Sequence, residues 1–281
     1  MYNEIQEYLE ECDRLGMSEK TIEAYEIHLR HYYSYLKQNN LKHKEVGPKD
    51  LKKYTIKAKE TGDADSTVNV RLSAIKSFYD WEIEEEKTNR NPVTRRSFLK
   101  TRTTKTQPLS PDEKNIILTY MDQKEEHIRL GFYTMFCTGL RVSELANLKR
   151  EDIKVINNRV TVHVLHGKRG GERLVPLFDK KTAEELVKYA EEQITDPLFK
   201  VKKRTFQYHA EQVSKAIGIS FTVHQARHTF ATERLQEGIR LDILQKLLGH
   251  KDISTTMLYA RTMDIDIINS AEPIQGGELN E

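Results

Sequence analysis

The sequence predicts a mainly α-helical protein with one small antiparallel sheet, divided into two domains. Three observations predict this fold class. Apolar residues recur at helical spacing through the first 86 residues. β-Branched residues and turn-forming pairs are concentrated between residues 153 and 177, which is typical of short strands. The length of 281 residues is too great for one small core and suits two domains of roughly 100–200 residues each.

The first predicted domain, residues 1–86, is a bundle of four helices. Its helices are separated by three breaks, at Gly16, Asn39–Asn40 and Gly62–Asp63. Ser18 and Ser66 precede periodic apolar runs, and we expect them to cap the second and fourth helices. Aromatic residues at helical spacing, such as Tyr32 and Phe78, are predicted to be core residues rather than base-stacking surfaces.

A basic segment at 87–107 is predicted to be the linker between the domains. It contains no acidic residue and seven cations: Lys87, Arg90, Arg95, Arg96, Lys100, Arg102 and Lys105. Such a run is often only a solvated linker, but it is also suited to follow a phosphate backbone. The net charge of +2 does not decide between these two interpretations.

The remaining residues, 108–281, predict a mixed α+β domain. Its first helix has a clear start, because Ser110 is a suitable N-cap, Pro111 is the first helical residue and Glu113 completes a capping box. Helices are predicted at 111–121, 124–137, 181–193, 204–216 and 241–248, with others near Val142, Arg227 and Tyr259. Strands are predicted at 153–156, 159–165 and 172–177, joined by the Asn157–Asn158 turn and a longer turn at 167–171. These strands form the predicted three-stranded antiparallel sheet.

The cysteine content and the apolar runs favour a cytoplasmic protein. Cys12 and Cys137 are far apart, and neither has a partner at metal-ligand spacing, so we expect reduced thiols. No signal peptide and no apolar stretch of membrane-spanning length is evident. We therefore expect no association with a membrane.

Two arginines, two histidines and a tyrosine indicate chemistry on a phosphate group. Arg141 follows a Gly-Leu pair at a predicted helix start, where backbone N–H groups and the guanidinium could meet the same anion. His224 and Arg227 are three residues apart on a helix and project from nearly one face. Tyr259 supplies a phenol that can attack phosphorus.

Structural explanations exist for several of these residues. Arg141 could simply pair with Glu144, one helical turn later, and a lysine such as Lys168 in a Gly-Lys turn is usually only solvated. His228 lies four residues after His224, but no cysteine or acid stands nearby at the spacing of a metal ligand. We interpret His228 as a structural histidine beneath the site and predict no metal and no cofactor.

The series of motifs resembles the tyrosine recombinase (phage integrase) family, particularly its compact Xer-type and mobile-element members. The motifs are Thr138-Gly139-Leu140-Arg141, the Gly167-Lys168 turn, Val175-Pro176-Leu177, His224-Gln225-Ala226-Arg227-His228, Leu248-Gly249-His250 and Tyr259. The resemblance covers both domains and implies that the first is a SAM-like core-binding domain and the second the catalytic domain. Ala226 departs from the family pattern, in which leucine is common.

Roles for six catalytic residues follow from their chemistry and from this resemblance. Two guanidinium groups, Arg141 and Arg227, can hold the non-bridging oxygens of a phosphodiester and replace metal ions with fixed charge. Because the pKa of an ordinary tyrosine is about 10, Tyr259 needs a base, and His224 is the predicted one. Lys168 is predicted to protonate the leaving 5′-oxygen, and His250 to bond a phosphate oxygen.

The resemblance implies a site-specific DNA recombinase that cuts and rejoins DNA through a 3′-phosphotyrosine link and a Holliday junction. The expected partners are double-stranded DNA with specific core sites and further recombinase subunits, in a homotetramer or a heterotetramer. Candidate DNA contacts are Arg30, Arg71, Lys76, Arg95 and Arg96. The tail after Tyr259, which includes Met263 and Ile265, could dock on a neighbouring subunit as an amphipathic helix or be disordered.

Two other functions remain compatible with the sequence. One is a DNA-binding partner that has lost catalysis, although the presence of all six candidate residues argues against it. The other is an enzyme similar to type IB topoisomerases, which would relax supercoils without a target site. The sequence does not distinguish chromosome-dimer resolution, phage integration and transposition, nor does it identify the target sequence.

Overall fold

The computed structural model describes residues 2–101, 107–165, 172–250 and 252–260, and these contain twelve α-helices and one three-stranded sheet. The chain divides into two compact units, residues 1–104 and 105–281. The predicted fold class, mainly α with one small antiparallel sheet, is confirmed. Within the described ranges, no helix is both long enough and apolar enough to cross a membrane.

The first unit is a bundle of four α-helices around an aromatic core. The helices are α1 (Tyr2–Arg14), α2 (Glu19–Gln38), α3 (Pro48–Glu60) and α4 (Asp65–Glu84). Tyr32 and Phe78 are fully buried in this core, as predicted. The Ser18 side chain caps α2 by accepting a hydrogen bond from the Thr21 N–H. The prediction that Ser66 caps α4 was wrong, because the helix begins at Asp65 and its N-cap is Ala64.

The described part of the predicted linker, residues 87–101, is folded onto this first unit. Asn69, on α4, bonds the backbone of Leu99 in both directions, with Nδ2 2.9 Å from the carbonyl and Oδ1 2.8 Å from the N–H. Val93 is buried in the bundle core. The Lys87 ammonium pairs with Glu7 on α1 at 2.5 Å. The basic segment is therefore attached to the bundle along most of its length.

The second unit contains the sheet and eight helices among the described residues. Three helices precede the sheet: α5 (Pro111–Met121), α6 (Glu126–Thr138) and α7 (Val142–Ala146). The strands are β1 (Ile153–Ile156), β2 (Arg159–Val164) and β3 (Arg173–Pro176). Five helices follow: α8 (Lys180–Glu192), α9 (Lys203–Ile217), α10 (Val223–Gln236), α11 (Leu241–Leu248) and α12 (Ile253–Ala260).

Local sequence accounts for the start of α5 and for the sheet. The Ser110–Glu113 capping box forms as predicted, with the two reciprocal bonds at 3.2 and 2.8 Å. The strands pair in the order β1-β2-β3, all antiparallel, with Val162 opposite Val175. Asn157 and Asn158 both have positive φ values, 49° and 58°, which suit a two-residue hairpin turn.

Helix α6 lies in the core of the second unit and fixes the position of α10. Phe132 on α6 packs edge-on against Phe206 of α9, with ring centroids 5.9 Å apart. At the end of α6, Gly139 adopts the left-handed conformation (φ 62°), and a Cβ at this position would lie 2.3 Å from Cδ1 of Phe230 on α10. Only glycine permits both this backbone conformation and this close approach.

Candidate active site

The C-terminus of α11 organises the site by binding three arginines. The helix ends at Gly249, which is left-handed (φ 63°) and turns the chain toward His250. Three consecutive carbonyls at this end each accept a hydrogen bond from a different guanidinium. The bonds are Arg173 Nε to Leu247 O (2.7 Å), Arg227 Nη2 to Leu248 O (2.6 Å) and Arg141 Nη2 to Gly249 O (3.1 Å). Carbonyls at a helix C-terminus lack intrahelical partners and carry the negative end of the dipole, so they stabilise cations.

Arg227 lies at the base of this arrangement, on α10, and only 3% of its surface is exposed. Its Nη1 also donates to the carbonyl of Gly139 at 2.8 Å. Burial, with a contribution from the nearby Arg141, lowers the pKa of Arg227 to about 10. The guanidinium therefore stays charged at neutral pH, and its charge lies in a largely water-free environment where electrostatic interactions are strong.

Arg141 is the N-cap residue of α7 and is much more exposed. Its Nη1 donates to Oε1 of Glu144 at 2.9 Å, and its backbone N–H donates to Oε2 at 2.7 Å. The expected pairing with Glu144 is thus present, yet 41% of the Arg141 side chain remains exposed. It faces a cleft that is also lined by Ser143, Asn147, Lys149 and His163. Pairing with Glu144 therefore orients the Arg141 guanidinium and leaves it accessible to an incoming anion.

Arg173 was not predicted from the sequence to be a site residue, but in the structure it contacts both Glu144 and the end of α11. It donates from Nη1 and Nη2 to the two oxygens of Glu144, at 3.1 and 2.7 Å. Burial would raise the pKa of Glu144, but the bonds from Arg173 and Arg141 lower it to about 2. The sequence could have indicated this role. Arg173 and Val175 are two residues apart in a strand and so share a face, and an arginine on a buried face requires a partner.

His250 is a neutral imidazole whose tautomer is fixed by its neighbours. Its Nε2 lies 3.0 Å from Nη2 of Arg227, and its Nδ1 lies 2.9 Å from Oγ1 of Thr256. A guanidinium can only donate, so Nε2 is the acceptor and Nδ1–H donates to Thr256. Burial, together with Arg227, lowers the pKa of His250 to about 4. His250 must leave Arg227 and gain a proton at Nε2 before it can donate to a phosphate oxygen.

Tyr259 lies on α12 and its side chain is in the same pocket, only 4% exposed. Its ring is edge-on to His228, with centroids 4.7 Å apart, and stacked on His250 at 6.0 Å. Burial raises the pKa of Tyr259, and the positive charge of the nearby Arg227 guanidinium acts in the opposite direction. The phenol and Arg227 therefore meet within a single chain.

The two histidines at the start of α10 differ in exposure. His224 is exposed to solvent on one side. Partial burial of its ring lowers the pKa of His224, and the positive charges of Arg227 and Arg141 act in the same direction. His228 packs beneath it, with ring centroids 5.1 Å apart, and burial lowers the pKa of His228 to about 4. Among the described residues, no group of three histidine, cysteine or acidic side chains is arranged to hold a metal ion.

The structure thus brings together five of the six predicted catalytic residues. These are Arg141, His224, Arg227, His250 and Tyr259. Lys168 and the tail from residue 261 onward, for which docking and disorder were both open, lie outside the described residues.

The predicted DNA contacts on the first unit have different surroundings. Arg71 is paired with Asp63 at 2.7 Å and its side chain is only 15% exposed, so it is poorly placed to reach a phosphate. Arg30 pairs with Glu26, and Lys76 pairs with Asp80 at 2.5 Å, but both cations are partly exposed. Arg95 and Arg96 lie exposed in a 3-10 turn at Arg95–Ser97.

Comparison with known proteins gives consistent matches over both units. The model of the phage integrase family matches residues 107–264, and that of the phage integrase N-terminal SAM-like domain matches residues 4–86. The tyrosine recombinase XerA of Pyrococcus horikoshii is 29% identical over 92% of this chain and 88% of that protein. The tyrosine recombinase XerD of Shewanella oneidensis is 28% identical over 87% of this chain and 86% of that protein.

Solved structures share the fold at lower sequence identity. The Tn1549 transposon integrase, in complex with a circular intermediate DNA, aligns with a TM-score of 0.75 and 19% identity over 91% of this chain and 94% of that one. The XerH site-specific recombinase, in a post-cleavage complex with a palindromic difH substrate, aligns with a TM-score of 0.73 and 19% identity over 88% of this chain and 78% of that one.

Proposed function

The chain belongs to the phage integrase family, and on that premise we propose that it cuts and rejoins double-stranded DNA with Tyr259 as the nucleophile. The predicted family and enzyme class, a tyrosine site-specific recombinase, are confirmed. The residue roles rest on one observation: the Tyr259 phenol and the Arg227 guanidinium meet at the end of α11, where Arg141 also binds.

The proposed cleavage step is a transesterification at phosphorus. The Tyr259 oxygen forms a bond to the scissile phosphorus, and the bond from phosphorus to the 5′-oxygen breaks, which leaves a 3′-phosphotyrosyl link and a 5′-hydroxyl. Arg141 and Arg227 offset the negative charge that builds up on the non-bridging oxygens. The phosphodiester bond energy is kept in the link, so the reverse attack by a 5′-hydroxyl rejoins a strand without an energy source.

Two proton transfers accompany this step. Tyr259 loses its proton, for which His224 is the proposed acceptor because its lowered pKa keeps it neutral. The leaving 5′-oxygen gains a proton, for which Lys168 is the proposed donor. His250 is proposed to exchange its bond to Arg227 for a bond to a phosphate oxygen when DNA enters.

The proposed partners follow from the same family relationship. Relatives are named tyrosine recombinases, and related folds have been solved with DNA. We propose that this chain binds double-stranded DNA at specific core sites and acts in a tetramer, either of identical subunits or with a related recombinase. Arg95 and Arg96 on the first unit are the best placed of the proposed backbone contacts. Both are exposed, and among the described residues neither forms an ion pair, whereas Arg30, Arg71 and Lys76 are each paired with an acidic side chain.

Covalent capture tests this proposal without knowledge of the target sequence. The purified chain is incubated, in the presence of a chelator, with a library of nicked duplexes, and adducts that resist detergent are isolated and sequenced. We expect adducts at one recurrent sequence, with a 5′-hydroxyl on the released strand. Tyr259→Phe should form none, whereas Tyr189→Phe, which removes a hydroxyl from another buried tyrosine of the same unit, should react as the wild type does.

Three results would contradict the proposal. Adducts that persist in Tyr259→Phe would show that another residue is the nucleophile. Cleavage that stops when the chelator is added would show that a metal ion takes part. Relaxation of a plasmid without any recurrent site would favour an enzyme of the topoisomerase IB type instead.

A further inference from the structure

We propose that Arg173 is a positioning residue for strand cleavage, which acts through Glu144 and the end of α11. The inference rests on the proposed function, because it assigns Arg173 to the support of Arg141 and Arg227. The Arg173 side chain is only 7% exposed, although it is charged, and it bonds two elements other than its own strand. It is placed to orient catalytic groups rather than to meet DNA.

The first route runs through Glu144. Arg173 donates to both oxygens of this carboxylate, and the carboxylate in turn receives the side chain and the backbone N–H of Arg141. The position of the carboxylate therefore sets the position of the Arg141 guanidinium. A planar guanidinium can bond both carboxylate oxygens at once, which fixes the orientation of the carboxylate as a single ammonium group could not.

The second route runs through the end of α11. Arg173 Nε donates to Leu247 O, and the next two carbonyls along the chain hold Arg227 and Arg141. A movement of this turn would displace both guanidinium groups, and His250 follows directly in the sequence. Arg173 thus joins β3 to the two elements on which the proposed phosphate-binding groups depend.

Charge balance gives a further reason for an arginine at this position. Glu144 is one negative charge shared between two cations, Arg141 and Arg173. If Arg173 were neutral, the carboxylate would offset more of the positive charge of Arg141, and the field that Arg141 presents to a phosphate would be weaker. Loss of Arg173 should therefore affect the charged transition state more than ground-state binding of DNA.

The test compares five full-length variants with the wild type: two changes at Arg173, a control change at Arg129, Arg141→Lys, and the double mutant of Arg141→Lys with Arg173→Met. Arg173→Met removes the charge and the donors at similar side-chain length, and Arg173→Lys keeps a charge but not the planar donor set. Arg129→Met is the matched control, because Arg129 also forms a partly buried ion pair, 2.6 Å from Glu185 and 22% exposed, in the same unit. For each variant we measure thermal unfolding, the dissociation constant for the captured duplex, and the single-turnover rate of adduct formation at saturating DNA.

We expect Arg173→Met to bind DNA with near wild-type affinity and to form the adduct about 10²-fold more slowly, the effect typical of a small misplacement of catalytic groups. Arg173→Lys should recover only part of this rate, and Arg129→Met should cleave at the wild-type rate. Combined with Arg141→Lys, the Arg173→Met change should slow cleavage by much less than it does alone, because the two residues act on one route.

The outcomes separate this inference from the proposed function. If the wild type forms no adduct, the proposed function fails. If it does, a folded Arg173→Met or Arg173→Lys with the wild-type rate overturns the inference. The inference is also overturned if the rate reduction in the Arg141→Lys/Arg173→Met double mutant equals the product of the reductions in the two single mutants. If Arg173→Met fails to fold, a folded and slow Arg173→Lys supports the inference; failure of both variants to fold would overturn it in favour of a purely structural role.

Discussion

Replacement of Gly139 by alanine tests how the Thr-Gly-Leu-Arg segment supports the site. The new methyl group would meet two obstacles, a backbone φ of 62° and the Phe230 ring at 2.3 Å. A left-handed conformation costs a non-glycine residue about 1–2 kcal/mol. Overpacking against a buried side chain costs typically about 1–3 kcal/mol. We therefore expect Gly139→Ala to lower the free energy of unfolding by roughly 2–5 kcal/mol.

Two other glycines of the same unit separate these contributions. Gly218 has a φ of 71°, and a methyl group added there would meet nothing within 4 Å, so Gly218→Ala should show only the backbone cost, about 1–2 kcal/mol. Gly131 lies inside α6, and a Cβ there would lie 2.4 Å from Phe206. Gly131→Ala should therefore show the packing cost of about 1–3 kcal/mol, reduced by up to about 1 kcal/mol because alanine favours a helix interior over glycine.

Urea unfolding followed by far-ultraviolet circular dichroism measures all three variants. We expect Gly139→Ala to have the lowest free energy of unfolding of the three, below both Gly218→Ala and Gly131→Ala. The folded fraction of Gly139→Ala should also cleave slowly, because the Gly139 carbonyl binds Arg227 at 2.8 Å. A Gly139→Ala protein within about 0.5 kcal/mol of the wild type, the range of ordinary surface substitutions, would refute the reasoning.

Three further predictions concern charge and tautomer. Because the pKa of Glu144 is lowered from 4.5 to about 2, the wild type should lose roughly 3 kcal/mol of stability as pH falls from about 5 to 2, and Glu144→Gln should lose less over that window in acid titrations of unfolding. A Glu144→Gln protein with an unchanged acid profile would contradict this. The double mutant Arg95→Ala/Arg96→Ala should bind DNA more weakly, and the salt dependence of its binding should fall by up to about one phosphate contact per residue. Arg71→Ala should leave the salt dependence unchanged, because Arg71 is paired with Asp63. A fall in salt dependence for Arg71→Ala but not for the double mutant would contradict the structure. In ¹⁵N spectra His250 should show a protonated Nδ1 and an unprotonated Nε2 at neutral pH without DNA, and the opposite tautomer would exclude its bond to Arg227.

Elements with local signals could be predicted from the sequence. The start of α5 depends on Ser110 and Glu113, which are three residues apart, and the hairpin depends on two adjacent asparagines. The grouping of the catalytic candidates came from the order of motifs rather than from any single residue.

Features that depend on distant partners could not be predicted. Arg173 binds Glu144 and Leu247, which are 29 and 74 residues away, so its role is visible only in the fold. The tautomer of His250 depends on Arg227, 23 residues away. The attachment of the basic segment to the first unit depends on Asn69, which is 30 residues from Leu99.

The most direct test of the account is to locate the covalent link by mass spectrometry. Adducts formed in the presence of a chelator are digested with nuclease and trypsin, and the peptide that carries the nucleotide is sequenced. We predict the nucleotide on the peptide 252–261, attached to Tyr259, the only tyrosine in that peptide. A nucleotide attached to any other residue, or no adduct without a divalent metal ion, would contradict the account.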